Sequence, residues 1–334
     1  VTTSFANNAR FAEMLAEPDA QTEQVATIEN RTLHVYAPNA LSHSRLGVFQ
    51  RCQRRFYIEY ERGMERIGSD LPAFRMGGAF ARALELNDPK MSVKENYADL
   101  LDAADSQKRI DELMIEAALV EWYAAKYIDI YGPCQLREIE YEFPIPGTAH
   151  TFRGAADGLS VPELTFDTTP FGVEDKFKSR WTEADIANLD LDTQITAEVA
   201  GLRHAGHPVN EIKYRVTLKP RLVRKKGRGK NPVAETVAEY VSRCIEEVEE
   251  NEKDYFLEYS QTRTDDEIAD WLSQMQDYAE QIDGARERGK YPRSKETCSW
   301  AGGCAHREIC CGVESAASLY QVKEGYPGSE SNPQ

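Results

Sequence analysis

Glu174 and Lys176 lie two positions apart in Phe171–Lys178, a stretch that reads as a β-strand. Residues so spaced leave a strand on the same face, so the acid and the lysine project together and Asp175 projects to the other side. Asp157 falls in a second such stretch, Thr151–Leu159, and joins the pair if the two strands are neighbours. Two carboxylates beside one lysine on a rigid sheet suit a divalent cation and a polarised water. An acid-x-lysine pair alone is common, and its plain reading is a solvated strand face.

The second candidate chemistry belongs to cysteine. Of seven cysteines, four fall within residues 298–311, and Cys52, Cys134 and Cys244 are scattered. In a reducing compartment such a cluster reads as metal-binding rather than disulfide-forming. Cys298, Cys304 and Cys310 recur every six residues, without the two close Cys-x-x-Cys knuckles of a zinc ribbon. Three spaced thiolates and one remote thiolate suit a cubane iron–sulfur cluster. Cys52, Cys134, Cys244 and the neighbouring Cys311 are the candidates for the remote ligand. Zinc, with His306 as a ligand, is the competing reading. Gly302 and Gly303 would let the backbone fold around a bulky group.

These groups need elements to hold them. Ser42 or Ser44 can cap a helix running through Phe49, Cys52, Phe56 and Tyr60, which share one face, with Arg51, Arg54 and Arg55 on the other. Met76–Glu85 opens on two glycines at an expected helix start, where a backbone could approach closely. Ser106–Tyr131 has the helix period of scaffold. Arg137–Pro144 alternates as a strand, Pro146-Gly147 is a turn signal, and two successive antiparallel hairpins follow. Leu191–His204 reads as a helix carrying Gln194, with Asp192 as its cap, and Glu211–Leu218 as the last strand. Strand, strand, strand, helix, strand implies a mixed sheet covered by helices, an α/β fold. Residues 233–287 read as two charged helices separated near 262–265, and a short helix is expected at 8–17.

The chain carries 56 acidic and 40 basic residues, a net charge of −16. That argues against a general nucleic-acid coating protein but leaves room for a local basic groove. Lys219–Lys230 is such a run, with Arg224, Lys225, Lys226 and Arg228 at its centre; its plain reading is a loop of solvated cations. No apolar run of about 18 residues suggests a membrane span. No secretory pattern is evident, so the expected location is the cytoplasm. A Gly-x-x-x-x-Gly-Lys-(Ser/Thr) phosphate loop is absent, so a helicase motor is not expected.

Taken together, Asp157, Glu174-x-Lys176, Gln194 and the one-plus-three cysteines resemble, in this order, the PD-(D/E)XK nuclease superfamily. More narrowly they resemble its RecB-like iron–sulfur exonucleases, which include the CRISPR-associated nuclease of that type, the AddB nuclease domain and related phage exonucleases. Ser42–Tyr60 is similar to that family's Ser-x-x-Leu…Cys-x-x-(Lys/Arg)-(Phe/Tyr) opening, and Gly77–Glu85 to its Gly-x-x-x-His-x-x-Leu-Glu helix. Arg153–Lys176 matches the Gly-x-x-Asp…Glu-x-Lys core, and residues 298–310 match the closing cysteines.

The resemblance implies a restriction-endonuclease-like mixed sheet flanked by helices, whose N- and C-terminal helical parts are joined by an iron–sulfur cluster. It implies Mg²⁺ or Mn²⁺ on Asp157 and Glu174, with Lys176 orienting the attacking water and Gln194 holding the site or the DNA. It implies a [4Fe–4S] cluster on Cys52, Cys298, Cys304 and Cys310. The basic residues Arg54, Arg55, Arg224, Lys225, Lys226 and Arg228 become candidates for nucleic-acid contact. The implied activity is a metal-dependent DNA exonuclease acting on single strands or duplex ends, in recombination, repair or phage DNA metabolism, with any unwinding left to a helicase or recombination partner.

Two positions depart from the pattern. The family's metal-ligand histidine falls on Ala81, with Glu85 one turn on as a candidate substitute ligand, and the tyrosine after the helix glutamine falls on Glu198. Ala81 is the feature that favours the alternative, a non-catalytic iron–sulfur DNA-binding or adaptor protein on the same fold. The expected organisation is an extension over 1–40, a helical part over 41–135, the nuclease core over 136–220, a basic loop and helical part over 221–290, the cysteine segment over 291–313 and a flexible tail over 314–334.

Overall fold

A computed structural model describes residues 37–67, 72–160, 169–227, 234–299, 303–323 and 326. The helix expected at 8–17, Arg228 and Gly302 lie outside the described residues.

The elements follow the chain as β1 (Ala40–Leu41), α1 (His43–Arg51), α2 (Gln53–Phe56), β2 (Met64–Arg66), α3 (Pro72–Leu86), α4 (Pro89–Asp102), α5 (Gln107–Tyr131), β3 (Leu136–Pro144), β4 (Thr151–Ser160), β5 (Phe171–Lys178), α6 (Glu183–Ala187), α7 (Thr193–His204), β6 (Glu211–Leu218), α8 (Val237–Glu250), α9 (Glu252–Tyr255), β7 (Phe256–Thr262), α10 (Asp265–Arg288), α11 (Lys295–Ser299), α12 (Arg307–Cys310) and β8 (Tyr320–Val322). β4, β5, β6 and β7 lie side by side in that order; β3 runs along one edge of β4, and β1 and β5 share the other, β1 at Thr151–Phe152 and β5 at Gly158–Ser160. β3–β4, β4–β5 and β6–β7 are antiparallel; β1–β4 and β5–β6 are parallel, α7 making the β5–β6 crossover. This is an α/β fold with a mixed central sheet flanked by helices.

Each face of the sheet buries its own core. On one, Phe143, Phe152, Ile212 and Val216 pack against Ile195, Val199 and Leu202 of α7 and against Trp271, Met275 and Ile282 of α10. On the other, Phe177 and Phe256 meet Phe80 of α3, Tyr123 and Tyr127 of α5, and Cys244 and Val248 of α8. A small third cluster joins Ile58, Met64, Cys310, Ala316 and Tyr320 around the β2–β8 ribbon.

The helix expected from Ser42 through Tyr60 is capped by Ser42, which accepts the Arg45 N–H at 3.3 Å, but it is not continuous. Cys52 takes an extended conformation (φ −163°, ψ 104°), α2 restarts after it, and Tyr57–Glu61 forms one π-helical turn. Apolar periodicity could not reveal this break, because Phe49, Cys52 and Phe56 all stay buried across it. Gly77 and Gly78 sit inside α3 rather than at its start, and among the described residues a Cβ on either would meet nothing within 4 Å, so no other element is seen to approach them closely. The stretch expected as two helices contains β7 as well, which pairs with β6 along Phe256–Thr262. β6 is therefore an inner strand.

Candidate active site

The site lies where β4 and β5 part. Among the described residues they pair through Gly158–Ser160 against Phe171–Val173 and then separate. Beyond that point the Asp175 N–H has no β4 carbonyl opposite it, and Oδ2 of Asp157 accepts it at 2.8 Å. The β3–β4 ladder also skips the Glu138/Asp157 position, where Glu138 holds a φ of 51°. A non-glycine residue in this region is uncommon and is a form of local strain that clusters at functional sites.

α7 covers the opening. Asp192 caps it by accepting the Gln194 N–H at 2.8 Å, which sets Gln194 in the first turn, facing β5. Its Nε2 donates to Oε1 of Glu174 at 2.6 Å and to Oε1 of Glu198 at 2.9 Å, and its Oε1 accepts from Nζ of Lys176 at 3.4 Å. The Lys176 ammonium also donates to Oε1 of Glu174. Glu174 is 1% exposed, so its charge depends on these donors. Burial pushes the Asp157 carboxyl up to about 6, against the pull of the Lys176 ammonium. The structure thus brings Asp157, Glu174, Lys176 and Gln194 together on one face of the sheet.

Asp175 projects to the other face, as its position predicts. There its carboxylate accepts from the Tyr127 hydroxyl and from NH1 of Arg137, at 2.5 Å for the arginine. Arg215 donates to the Tyr127 hydroxyl at 3.1 Å and to Glu258 at 2.7 Å. Arg137 and Arg215 side chains are 10% and 6% exposed, so a buried ionic network stands behind the active face.

Glu85 lies on α3. Within its own helix it pairs with Arg82 at 3.0 Å, and Ala81 is exposed on the same helix. Glu198, noticed in the sequence only as a departure, is instead fully buried in the site. Burial first and Asp157 second drive its carboxyl well above the usual range. Its spacing of one turn from Gln194 was the available signal. His43 was also missed: with Arg51, Thr193 and Trp271 it lines a cleft of about 260 Å³ beside Asp192 and Lys176.

The cysteine segment docks on the break at Cys52. Thr297 Oγ1 donates to the Arg51 carbonyl at 2.8 Å, the Arg54 N–H to Pro292 at 3.0 Å, and Arg293 to the Cys310 carbonyl at 2.7 Å. The Cys304 N–H donates to the Cys298 carbonyl at 3.3 Å, beside Gly303 at φ 99°. Burial raises the thiols of Cys304 and Cys310, and Cys52 acts on both. Cys134 lies elsewhere, against Gly158 and Arg137, and Cys244 lies in the α5–α8 core. Cys311 is exposed. His306 approaches the Met64 carbonyl with Nε2 at 3.1 Å and stacks on Tyr320. Among the described residues, no three His, Cys, Asp or Glu side chains are grouped so as to hold a metal ion.

The expected phosphate contacts are partly engaged within the protein. Arg55 pairs with Glu59 at 2.9 Å, Arg54 lies 5.3 Å over the Tyr57 ring, and Arg224 pairs with Asp111 at 2.7 Å. Lys225 and Lys226 are exposed. Among the described residues, no helix is long and apolar enough to cross a membrane.

A split mixed sheet with an acid-x-lysine strand at the split and a glutamine helix over it is the arrangement that the resemblance to PD-(D/E)XK nucleases implies. The chain matches the model of the PD-(D/E)XK nuclease superfamily over residues 40–311, and it belongs to that superfamily. No curated protein matches it. Among solved structures, one described as the crystal structure of SSO0001 aligns with 83% of this chain and 88% of its own, at 14% identity and a TM-score of 0.35. That likeness is too distant to bear on the site.

Proposed function

We propose that the protein is a divalent-cation-dependent DNA exonuclease acting on single strands or duplex ends. The observation that carries this reading is the convergence of Asp157, Glu174, Lys176 and Gln194 at the parting of β4 and β5. The donor set fits the cation: carboxylate and amide oxygens suit Mg²⁺ or Mn²⁺, and superfamily members typically use these ions. Asp157 and Glu174 would hold it. Once bound, it supplies positive charge to the non-bridging phosphate oxygens and makes its water more acidic.

The chain's own groups do the rest. Lys176, held between Glu174 and Gln194, is placed to orient the attacking water and to donate to the phosphate as negative charge grows there. Gln194 keeps Glu174 aimed by donating to one of its oxygens. Arg54, Arg55, Lys225 and Lys226 would serve as phosphate contacts. Arg224 serves chiefly to tie the basic run to Asp111.

The thiols of Cys52, Cys298, Cys304 and Cys310 would hold a [4Fe–4S] cluster. A cubane spreads its ligands over four irons, so they stand farther apart than those of a single ion. The docking of Pro292, Arg293 and Thr297 around the Cys52 break and Cys310 supports this set over one using Cys134 or Cys244. The cluster's role is structural: it ties α1 and α2 to the C-terminal segment, so its binding energy is folding energy. The reading places the protein in recombination, repair or phage DNA metabolism, with a helicase or recombination partner supplying unwinding.

The test is to offer the anaerobically purified protein linear and circular forms of one single-stranded DNA with Mg²⁺ or Mn²⁺. Degradation of the linear form alone is expected. Cleavage of the circle would make it an endonuclease, and cation-independent cleavage would contradict the site.

A further inference from the structure

Glu198 carries an unexplained buried oxygen. Its side chain is 0% exposed, Oε1 accepts from Gln194, and Oε2 has no hydrogen-bond partner. Buried polar groups are almost always satisfied, so such an atom calls for an explanation. If Oε2 carries a proton, that O–H needs an acceptor, and no hydrogen bond to it is formed among the described residues. If it is ionised, it needs a donor or a cation beyond Gln194.

The surroundings keep this oxygen dry, and Gln194 ties its carboxyl group to the active face. Asp157 is the charge that acts most strongly against Glu198, and Lys176 the one that most strongly favours it. The Tyr141 ring fills the space beside α7: a Cβ on Gly201 would lie 2.4 Å from that ring and one on Gly154 2.5 Å from its hydroxyl. Both Glu198 and Asp157 act on the Tyr141 hydroxyl. Gly154 and Gly201 thus make room for the Tyr141 ring beside Glu198, and the Gln194 amide group that holds Glu198 also holds Glu174.

Resting on the nuclease reading, we propose that Glu198 is a third acidic group of the divalent-cation site. Its Oε2 accepts a hydrogen bond from water carried by the cation that Asp157 and Glu174 hold. Mg²⁺ keeps several of its waters in protein sites, so an acid one water away still senses and orients it. Such a contact needs no third carboxylate in direct reach of the ion. It also gives Gln194 a second purpose: one amide group fixes Glu174 and Glu198 together.

The test is Mn²⁺ binding by the anaerobically purified holoprotein without DNA, read from loss of the free-ion electron paramagnetic resonance signal. Wild type, Glu198→Gln, Glu198→Asp and Asp157→Asn are compared, with melting temperatures taken with and without Mn²⁺. Glu198→Gln is expected to weaken binding about 10- to 100-fold, the usual cost of losing an outer hydrogen-bond partner of a metal site. Glu198→Asp, which keeps the charge, is expected to lose less. Without cation, Glu198→Gln should melt at or above wild type, having lost a buried acid, while its gain in melting temperature on adding Mn²⁺ shrinks. Should Glu198→Gln bind Mn²⁺ as tightly as wild type while Asp157→Asn does not, the inference fails, the nuclease reading stands and Glu198 only braces Gln194. A wild type that binds no Mn²⁺ would overturn both.

Discussion

Oδ2 of Asp157 accepts the main-chain N–H of Asp175 at 2.8 Å, so a side chain of β4 completes the edge of β5 where the two strands have parted. That bond fixes the distance between the carboxylate on one strand and the Glu174/Lys176 pair on the other. It also couples the active face to the ionic network behind the sheet, because the Asp175 carboxylate is anchored to Arg137 and Tyr127.

Asp175→Ala is therefore expected to cost stability and activity together. It strands Arg137, whose side chain is 10% exposed, and leaves the Tyr127 hydroxyl, still held by Arg215, without an acceptor for its proton. Removing one partner of a buried ion pair costs about 3–5 kcal/mol. Urea unfolding measures the loss, and Asp175→Asn, which keeps an acceptor for Tyr127, should lose less. A variant as stable as wild type would show that the network is incidental.

Gly201→Ala tests the packing under α7. The added Cβ would lie 2.4 Å from the Tyr141 ring, with the β3–β4 sheet behind it. Overpacking of this kind costs about 1–3 kcal/mol. Since α7 carries Gln194 and Glu198, the expected result is a lower melting temperature together with a higher cation requirement for cleavage. Unchanged melting would mean that Tyr141 has space to move.

Cys298→Ser is expected to give a colourless, iron-poor protein that unfolds more readily, because the docked segment loses its tie to Cys52. Cys134→Ser and Cys244→Ser should keep the iron and the visible absorption. Iron content and absorbance decide it. A stable Cys298→Ser protein with unchanged colour contradicts the assignment, and zinc without iron in the wild type replaces the cluster by a zinc site.

Much of this arrangement is written in local pattern. The alternation of Glu174, Asp175 and Lys176 placed the acid and lysine on one face and Asp175 on the other, and Asp192 does cap the helix bearing Gln194. What pattern could not supply was tertiary. The Cys52 break leaves the apolar stripe intact, so nothing in the spacing marks it. β7 hides in a charged stretch because it is an edge strand with a half-wet face: Leu257, Tyr259 and Gln261 are partly buried while Glu258, Ser260 and Thr262 are exposed. Glu198 reads as a solvated helix residue, and only the packing of Tyr141 against Gly201 shows why it is buried. Spacing alone offers Glu85 as a substitute for the ligand missing at Ala81, and in the structure Glu85 pairs with Arg82 on its own helix.

The most direct test of the central claim is cleavage of end-labelled single-stranded and duplex DNA by wild type and by Lys176→Ala, both purified anaerobically, with Mg²⁺ and Mn²⁺ in parallel. Cation-dependent cleavage is predicted for wild type, with loss of at least about 100-fold in the variant, the usual scale for a group that stabilises charge in the transition state. Folded, iron-bearing wild type that binds DNA but leaves it intact with either ion, or a Lys176→Ala protein that cuts as fast as wild type, would contradict it.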